Sequence, residues 1–331
     1  MIDMRTVGYD AEMITETGTK YELNNVLISL QWEEQKNELA QRATITVANM
    51  AMNGTWLMAI IKINCIIRIF GKWNGTRALM FEGTIWDWQY RSATQKELTI
   101  VAYDPLIRLQ QSKDFKFFSA GLNTKDLIAR ICEEWNIPFV YNWKQSITHE
   151  KKVFNAVPIS DMIIGVLDEV RKKTGEGYVA YFRDGKLQIT DYGTNETVYK
   201  FDTQNTTSTL NKMSMNDLVT RVKVIGKQNK EGRAPVDAVL DGDTRFGVLQ
   251  EIVRRDTSKT LETAMAEART IIKDRGKPEE IIQTTVPDVP AMRKGDLVEM
   301  AAGNLLGFFY VEGVAHNAAM KQMDLTLSRK E

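Results

Sequence analysis

The chain has 331 residues, 43% of them hydrophobic and 26% charged, with 43 basic residues balancing 43 acidic ones. That length suggests two or three domains with sizeable cores. A neutral balance without any basic cluster argues against gripping nucleic acid through its phosphates, so no specific nucleic-acid partner is expected.

Strand signals fill the first hundred residues. "ATITVA" alternates Ala43, Ile45 and Val47 with Thr44 and Thr46, the period of a half-buried strand. "NCIIRIF", "LMFEGTIW" and "KELTIVAY" follow, separated by polar or glycine-containing turns, and together predict a small antiparallel barrel over residues 1–116. The most apolar stretch, "WLMAIIKINCIIRIF", is interrupted by Lys62, Asn64 and Arg68, so no membrane span is expected. The N-terminus lacks the charged and apolar regions of a signal peptide, which predicts a protein made and folded in the cytosol and makes the four Asn-x-Thr sequons chance matches. Cys65 and Cys132, each in apolar surroundings without a CxxC partner, read as core thiols.

From Phe117 the period changes. "NTKDLIARICEEW" carries a capping box at its start and puts Leu127, Ile128, Ile131 and Trp135 on one helical stripe. "IPFVYNW" is a short strand, and a second helix from Ser160 stops at Gly175. "GYVAYFRDGKLQITDYG" is a hairpin turning at Asp184-Gly185. Residues 117–195 therefore read as a small α/β module. Strands return in "TVYKFD", "LVTRVKVIG", "GDLVEMAA", "GFFYVEGVAH" and "MDLTLSR", predicting a second barrel over 196–331. A hairpin and a helix, Lys259–Arg275, are inserted at about 230–280.

The two β regions echo one another. "FEG" with Glu82 and Gly83 matches "VEG" with Glu312 and Gly313. Tyr21 to Arg42 spans 21 residues and Tyr199 to Arg221 spans 22; Asn64 to Glu82 spans 18 and Gly295 to Glu312 spans 17. Only Arg42 to Asn64 (22) and Arg221 to Gly295 (74) disagree, a surplus that the insert fills. The repeat-defining positions are thus Arg42, Asn64, Glu82, Gly83, Arg221, Gly295, Asp296, Glu312, Gly313 and His316. They point to duplication, with the glycines placed at a bend or bulge.

Catalytic chemistry has little to build on. The two histidines, His149 and His316, lie in different regions, and no HExxH, GxSxG, phosphate loop or Cys/His spacing occurs, so no catalytic residue, cofactor or metal is expected. "GEGYVA" follows a helix and precedes a strand, which makes Gly175 a helix stop, not a dinucleotide loop. "DGD" (Asp241–Asp243) lacks the later ligands of a calcium loop and reads as a turn. His316 reads as a hydrogen-bonded structural residue. Trp32, Trp73, Trp86 and Trp88 suit core or interface packing better than a ligand platform.

The segments "MNDLVTRVKVIGK", "RFGVLQEIVRRD", "VPAMRKGDLVEM" and "GFFYVEGVAHNAAMKQMDLTLS" resemble the hub proteins of contractile phage tails. The chain is similar, nearly throughout and most specifically from Asp217 onward, to the PBSX-type XkdQ/YqbQ family, distant relatives of the late control gene D proteins. That resemblance implies a mainly β fold, two related tube-type barrels flanking a peripheral α/β module. It also implies a non-enzymatic homotrimer that presents six similar units to a sixfold tail tube. Implied partners are the tail tube protein, central spike, tape-measure protein, LysM-type tail protein, and baseplate wedge and sheath-initiator proteins, in the baseplate of an extracellular phage tail or bacteriocin particle. A tail-associated peptidoglycan hydrolase is the competing expectation, followed by a carbohydrate-binding module using the tryptophans. Neither has a recognisable motif here.

Overall fold

The computed structural model describes residues 3–91, 96–228, 232–255 and 260–330. It divides into two compact units, Met1–Thr209 with Gln283–Glu331, and Leu210–Ile282.

The first unit begins with strands β1 (Gly8–Ile14), β2 (Lys20–Glu22), β3 (Leu27–Glu34) and β4 (Arg42–Ala48). A connection packed on the core through Leu57 and Ile61 holds β5 (Ala51–Met52), β6 (Thr55–Trp56) and the short helix α1 (Leu57–Ile60). Then come β7 (Ile66–Trp73), the long β8 (Thr76–Arg91) and β9 (Glu97–Tyr103). β4 keeps the expected alternation, with Ala43, Ile45 and Val47 turned into a core that includes Leu30, Trp32, Ile67, Ile69, Phe81, Ile85 and Ile100. Cys65 is buried in that core.

An α/β module follows: α2 (Ile107–Gln111), β10 (Lys113–Phe118), α3 (Thr124–Glu134), β11 (Phe139–Tyr141), β12 (Lys152–Pro158), α4 (Ile159–Thr174), β13 (Val179–Arg183) and β14 (Lys186–Thr190). The Asn123 side chain accepts from Asp126 N at 2.8 Å, the cap read from sequence. Gly175 closes α4 in the left-handed conformation, φ 83°. Asp184 and Gly185 both adopt positive φ, as a two-residue hairpin turn requires. The module's core draws on more than 117–195, because Leu39, Ala40, Leu106, Ile107 and Leu109 pack into it. These residues sit at loops and a short helix without strand alternation, so composition gave no signal of their side.

β15 (Tyr199–Asp202) and β16 (Ser208–Ser214) lead out of the module, and the division between the units falls inside β16. The second unit holds β17 (Arg221–Ile225), β18 (Val236–Asp241), β19 (Gln250–Arg254) and α5 (Leu261–Arg275). β17 is central, antiparallel to β18 and parallel to β19. Val222, Val224 and Val253 pack against Ala264 and Ala268 of α5. Leu261, expected on the apolar face, is exposed; the expected first helical residue, Lys259, lies outside the described residues. The chain returns through β20 (Glu279–Pro287), β21 (Leu297–Ala302), β22 (Leu305–Asn317) and β23 (Gln322–Arg329).

One sheet carries both β regions, in the order β16-β20-β23-β22-β3-β4-β9-β8-β7-β1-β2, with β21 and β15 branching from β22. The chain is mainly β, with antiparallel strands flanking an α/β insert. Among the described residues the pairings trace an open path, and neither β region closes on itself.

That order contains the duplication. The five strands β3-β4-β9-β8-β7 recur as β16-β20-β23-β22-β21, with the same neighbours in the same chain order. Details coincide. β8 has a bulge at Trp86, between Ile85 and Asp87, and β22 has one at Glu312, between Val311 and Gly313. Each lies five residues before its strand's end, at Arg91 and Asn317. Asn64 N donates to Ile85 O and Ile85 N to Cys65 O; Gly295 N donates to Val311 O and Val311 N to Asp296 O. Asn49 N donates to Lys96 O, and Asp288 N to Lys321 O, with both lysines at positive φ.

Three sequence equivalences change accordingly. Counted from the bulge, Trp86 occupies the place of Glu312, so the Glu-Gly echo of Glu82-Gly83 with Glu312-Gly313 is four residues out of register. Arg221 belongs to the small sheet, and the strand equivalent to that of Arg42 is β20, starting at Glu279. The insert therefore separates β16 from β20 rather than following β17. Tyr21 sits on β2 beside β1, whereas Tyr199 is on β15, parallel to β21, so they are not equivalent. Asn64 and Gly295 do correspond, with φ values of 71° and 96°. Both residue types tolerate the left-handed region that this turn demands.

Candidate functional site: the junction between the repeats

The two repeats meet where β22 pairs antiparallel with β3, Val314 opposite Glu34 and His316 opposite Trp32. The indole of Trp32, 2% exposed, stacks on the His316 ring at 4.4 Å between centroids and 7° between planes. Tyr9 meets the indole edge-on at 4.8 Å. His316 Nε2 lies 3.1 Å from Met292 O, an atom that only accepts, so this nitrogen carries a hydrogen. Nδ1 shares a 2.7 Å hydrogen bond with Asp288 Oδ1, and Tyr9 OH donates to the other Asp288 oxygen. Burial, then Asp288, pushes the Tyr9 hydroxyl well above its ordinary range, so it remains a donor. Both His316 nitrogens, both Asp288 oxygens and the Tyr9 hydroxyl thus have partners, which is what a buried polar cluster needs to specify one geometry.

A buried ionic group adjoins it. Glu34, at the end of β3, receives Arg293 Nε at 2.8 Å and Lys294 N at 2.8 Å, and Arg293 Nη2 binds the same carboxylate. Arg293 also donates to Phe182 O of the module at 3.1 Å, and Lys294 Nζ to Glu38 O at 2.6 Å. One arginine thus ties together the first repeat, the second repeat and the module. Burial raises the Glu34 carboxyl, but Arg293 and Lys294 outweigh it and hold the group below the usual carboxylate range. Nearby, burial pushes Asp104 up to about 7, although it accepts from Gln41 N and Leu106 N, each at 2.9 Å. Burial likewise pushes Asp296 up to about 6. A polar cavity of about 440 Å³ opens beside this group, lined by Tyr181, Arg183, Asp191, Asn195, Arg293 and Asp296.

Of the repeat-defining residues, Gly295, Asp296, Glu312, Gly313 and His316 gather here. Gly295 N bonds Val311 O, and a side chain on Gly295 would run into Val179. Glu312, 9% exposed, accepts from Tyr192 OH at 3.1 Å and Ser328 Oγ at 2.6 Å, with Lys36 Nζ at 3.6 Å, so its partners are within the chain. Gly313 lies against Glu34 O. Asn64, Glu82 and Gly83 belong to the first repeat away from the junction, with exposed Glu82 paired to Arg68, whereas Arg42 pairs with Glu33, which lies opposite Ala315 at the junction. Gly83 packs so closely on Tyr103 O that no Cβ fits. Arg221 pairs with Asp241 in the second unit. Sequence reasoning missed Glu34, Arg293, Lys294, Asp288 and Tyr9. A basic pair directly before Gly295-Asp296, on an otherwise apolar approach to a strand, is the signal that was available. Elsewhere, His149 is buried between Thr124 and Glu169, and burial lowers its pKa. Among the described residues no group of three or more His, Cys, Asp or Glu could hold a metal, and no helix is long and apolar enough to cross a membrane.

This fold is shared with solved phage tail proteins. A tail protein from Neisseria meningitidis MC58 superposes with a TM-score of 0.68 at 12% identity, covering 98% of this chain and 97% of that one. The 43 kDa tail protein of prophage MuSo2 from Shewanella oneidensis gives 0.69 at 13% identity, covering 97% and 98%. The E. coli protein c3393, a type VI secretion component described as structurally similar to the T4 tail proteins gp27 and gp5, gives 0.55 at 10%, covering 92% and 74%. The chain belongs to the YQBQ-like family, whose signature covers residues 30–328. It is 25% identical over 229 residues to YqbQ of Bacillus subtilis (strain 168), 68% of each protein.

Proposed function

We propose that this protein is a structural hub in the baseplate of a contractile tail or tailocin. Three chains form a ring of six similar units that joins a hexameric tail tube to a central spike. The observation that carries this reading is the repeated order β3-β4-β9-β8-β7 and β16-β20-β23-β22-β21 within one chain. A chain that offers two near-equivalent surfaces lets a threefold assembly meet a sixfold one without a mismatch. The fold shared with tail proteins and membership of the YQBQ-like family support it. On this reading the role is non-enzymatic and needs no cofactor; the tape-measure, LysM-type, wedge and sheath-initiator proteins are neighbours in an extracellular particle assembled in the cytoplasm. Light scattering on the purified protein and its detection in tail preparations test the proposal. A strictly monomeric chain at high concentration, absent from such particles, contradicts it.

A further inference from the structure

We infer that copies of this chain join by pairing the C-terminal half of β8 in one copy with β16 of the next, repeating between molecules the β22–β3 junction found within one. This deepens the hub-ring reading and rests on it. In the second repeat, β22 uses one edge beyond its bulge for β23 and gives Val314–Asn317 of its other edge to β3. In the first repeat the same stretch, Trp88–Arg91 of β8, pairs only with β9; among the described residues no strand lies on its other edge. The equivalent of β3 is β16, which pairs with β20 and has its second edge unpaired among the described residues. The chain therefore ends its repeats with one unfilled socket and one unfilled plug. Two open edges of this kind are templates for pairing with another chain.

The side chains agree. The hydrogen bond from Thr207 N to Thr285 O fixes β16 beside β20. Thr285 stands where Thr46 does, because Asp288 matches Asn49. Counting from there places Leu210 at the station of Trp32 and Asn211 at that of Glu33. Trp32 is 2% exposed at its junction, whereas Leu210 is 47% exposed and has nothing over it comparable to the His316 ring. Tyr90 occupies the His316 position on β8. The pairing thus sets Tyr90 over Leu210 and Gln89 opposite Asn211. The occupant is a second copy because only this chain carries both halves of the junction already realised inside it. The contact is heterologous, so it closes into a ring when the rotation per copy divides a full turn.

Cysteine cross-linking of the full-length chain tests this, since Cys65 and Cys132 are buried. Oxidation of the Gln89→Cys, Asn211→Cys double variant is expected to give covalent dimers and closed trimers, and a mixture of the two single variants to give the heterodimer alone. The out-of-register pair Gln89→Cys, Met213→Cys should cross-link at least about tenfold less, given the narrow Cα separation a disulfide accepts. In the unmodified protein, amide exchange at Trp88–Arg91 and Ser208–Met213 should slow on assembly. An oligomer that neither cross-links in register nor protects these amides overturns the strand pairing and leaves the ring reading standing. A protein that remains monomeric overturns both.

Discussion

Arg293 sits where a single side chain decides the geometry of three parts of the chain. Replacing Arg293 with Ala leaves Glu34 buried without its main partner, which costs about 3–5 kcal/mol by the usual cost of orphaning a buried charge. Chemical denaturation should show that loss, whereas Arg68→Ala, which breaks an exposed pair with Glu82, should cost under about 1 kcal/mol. Asp104 and Asp296 predict a pH dependence with a definite sign. Their folded pKa values, about 7 and about 6, exceed the unfolded value of 3.8. Both groups are protonated in either state at low pH; as pH rises from about 4 to 7, the unfolded chain releases protons that the folded chain retains, and stability falls. Melting temperature should therefore be lower at pH 8 than at pH 5, and the difference should shrink in Asp104→Asn. An unchanged difference in that variant contradicts the assignment.

At the scale of elements, the bulges at Trp86 and Glu312 let one long strand serve two sets of neighbours. β7 and β21 pair with these strands only below the bulge, whereas β9 and β23 pair with them on both sides of it. Deleting Trp86 removes the bulge and leaves Ile85 opposite Ala102 and Asp87 opposite Val101, so Trp88 and Tyr90 keep their side of the sheet; both the deletion and Trp86→Ala, 44% exposed in the wild type, should remain folded in thermal melts. Much of this level was legible in the sequence: the alternation of β4, the Asn123 cap, the Gly175 stop and the Asp184-Gly185 turn are all local signals, and each is local in cause. The Asn64–Gly295 match was legible because both turns require positive φ. The Glu-Gly echo misled because strands of like composition match in several registers, and only the hydrogen-bonded neighbour fixes which. For the same reason "RVKVI" passed for a strand of the second repeat: its alternation serves a small sheet against α5 as well as a large one. The ionic group at Glu34 was illegible, since residues 259 positions apart meet there through three separate pairings.

The whole molecule is a plan used twice, interrupted by a module in one place and an inserted unit in another. Because β16 and β20 are neighbours in the sheet, replacing residues 216–277 by a short turn should leave the remainder folded. A cooperative melt in the shortened chain checks this. The duplication itself makes the central claim, that one chain supplies two of six similar units in a threefold ring. Single-particle electron microscopy of the purified protein, viewed end-on, tests that claim most directly. Rings of three chains whose inner wall shows near-sixfold averaging, with true threefold symmetry carried by the outer modules, are expected; monomers only, or a closed assembly in which the two repeats take unrelated positions, would rule the duplication-based ring out.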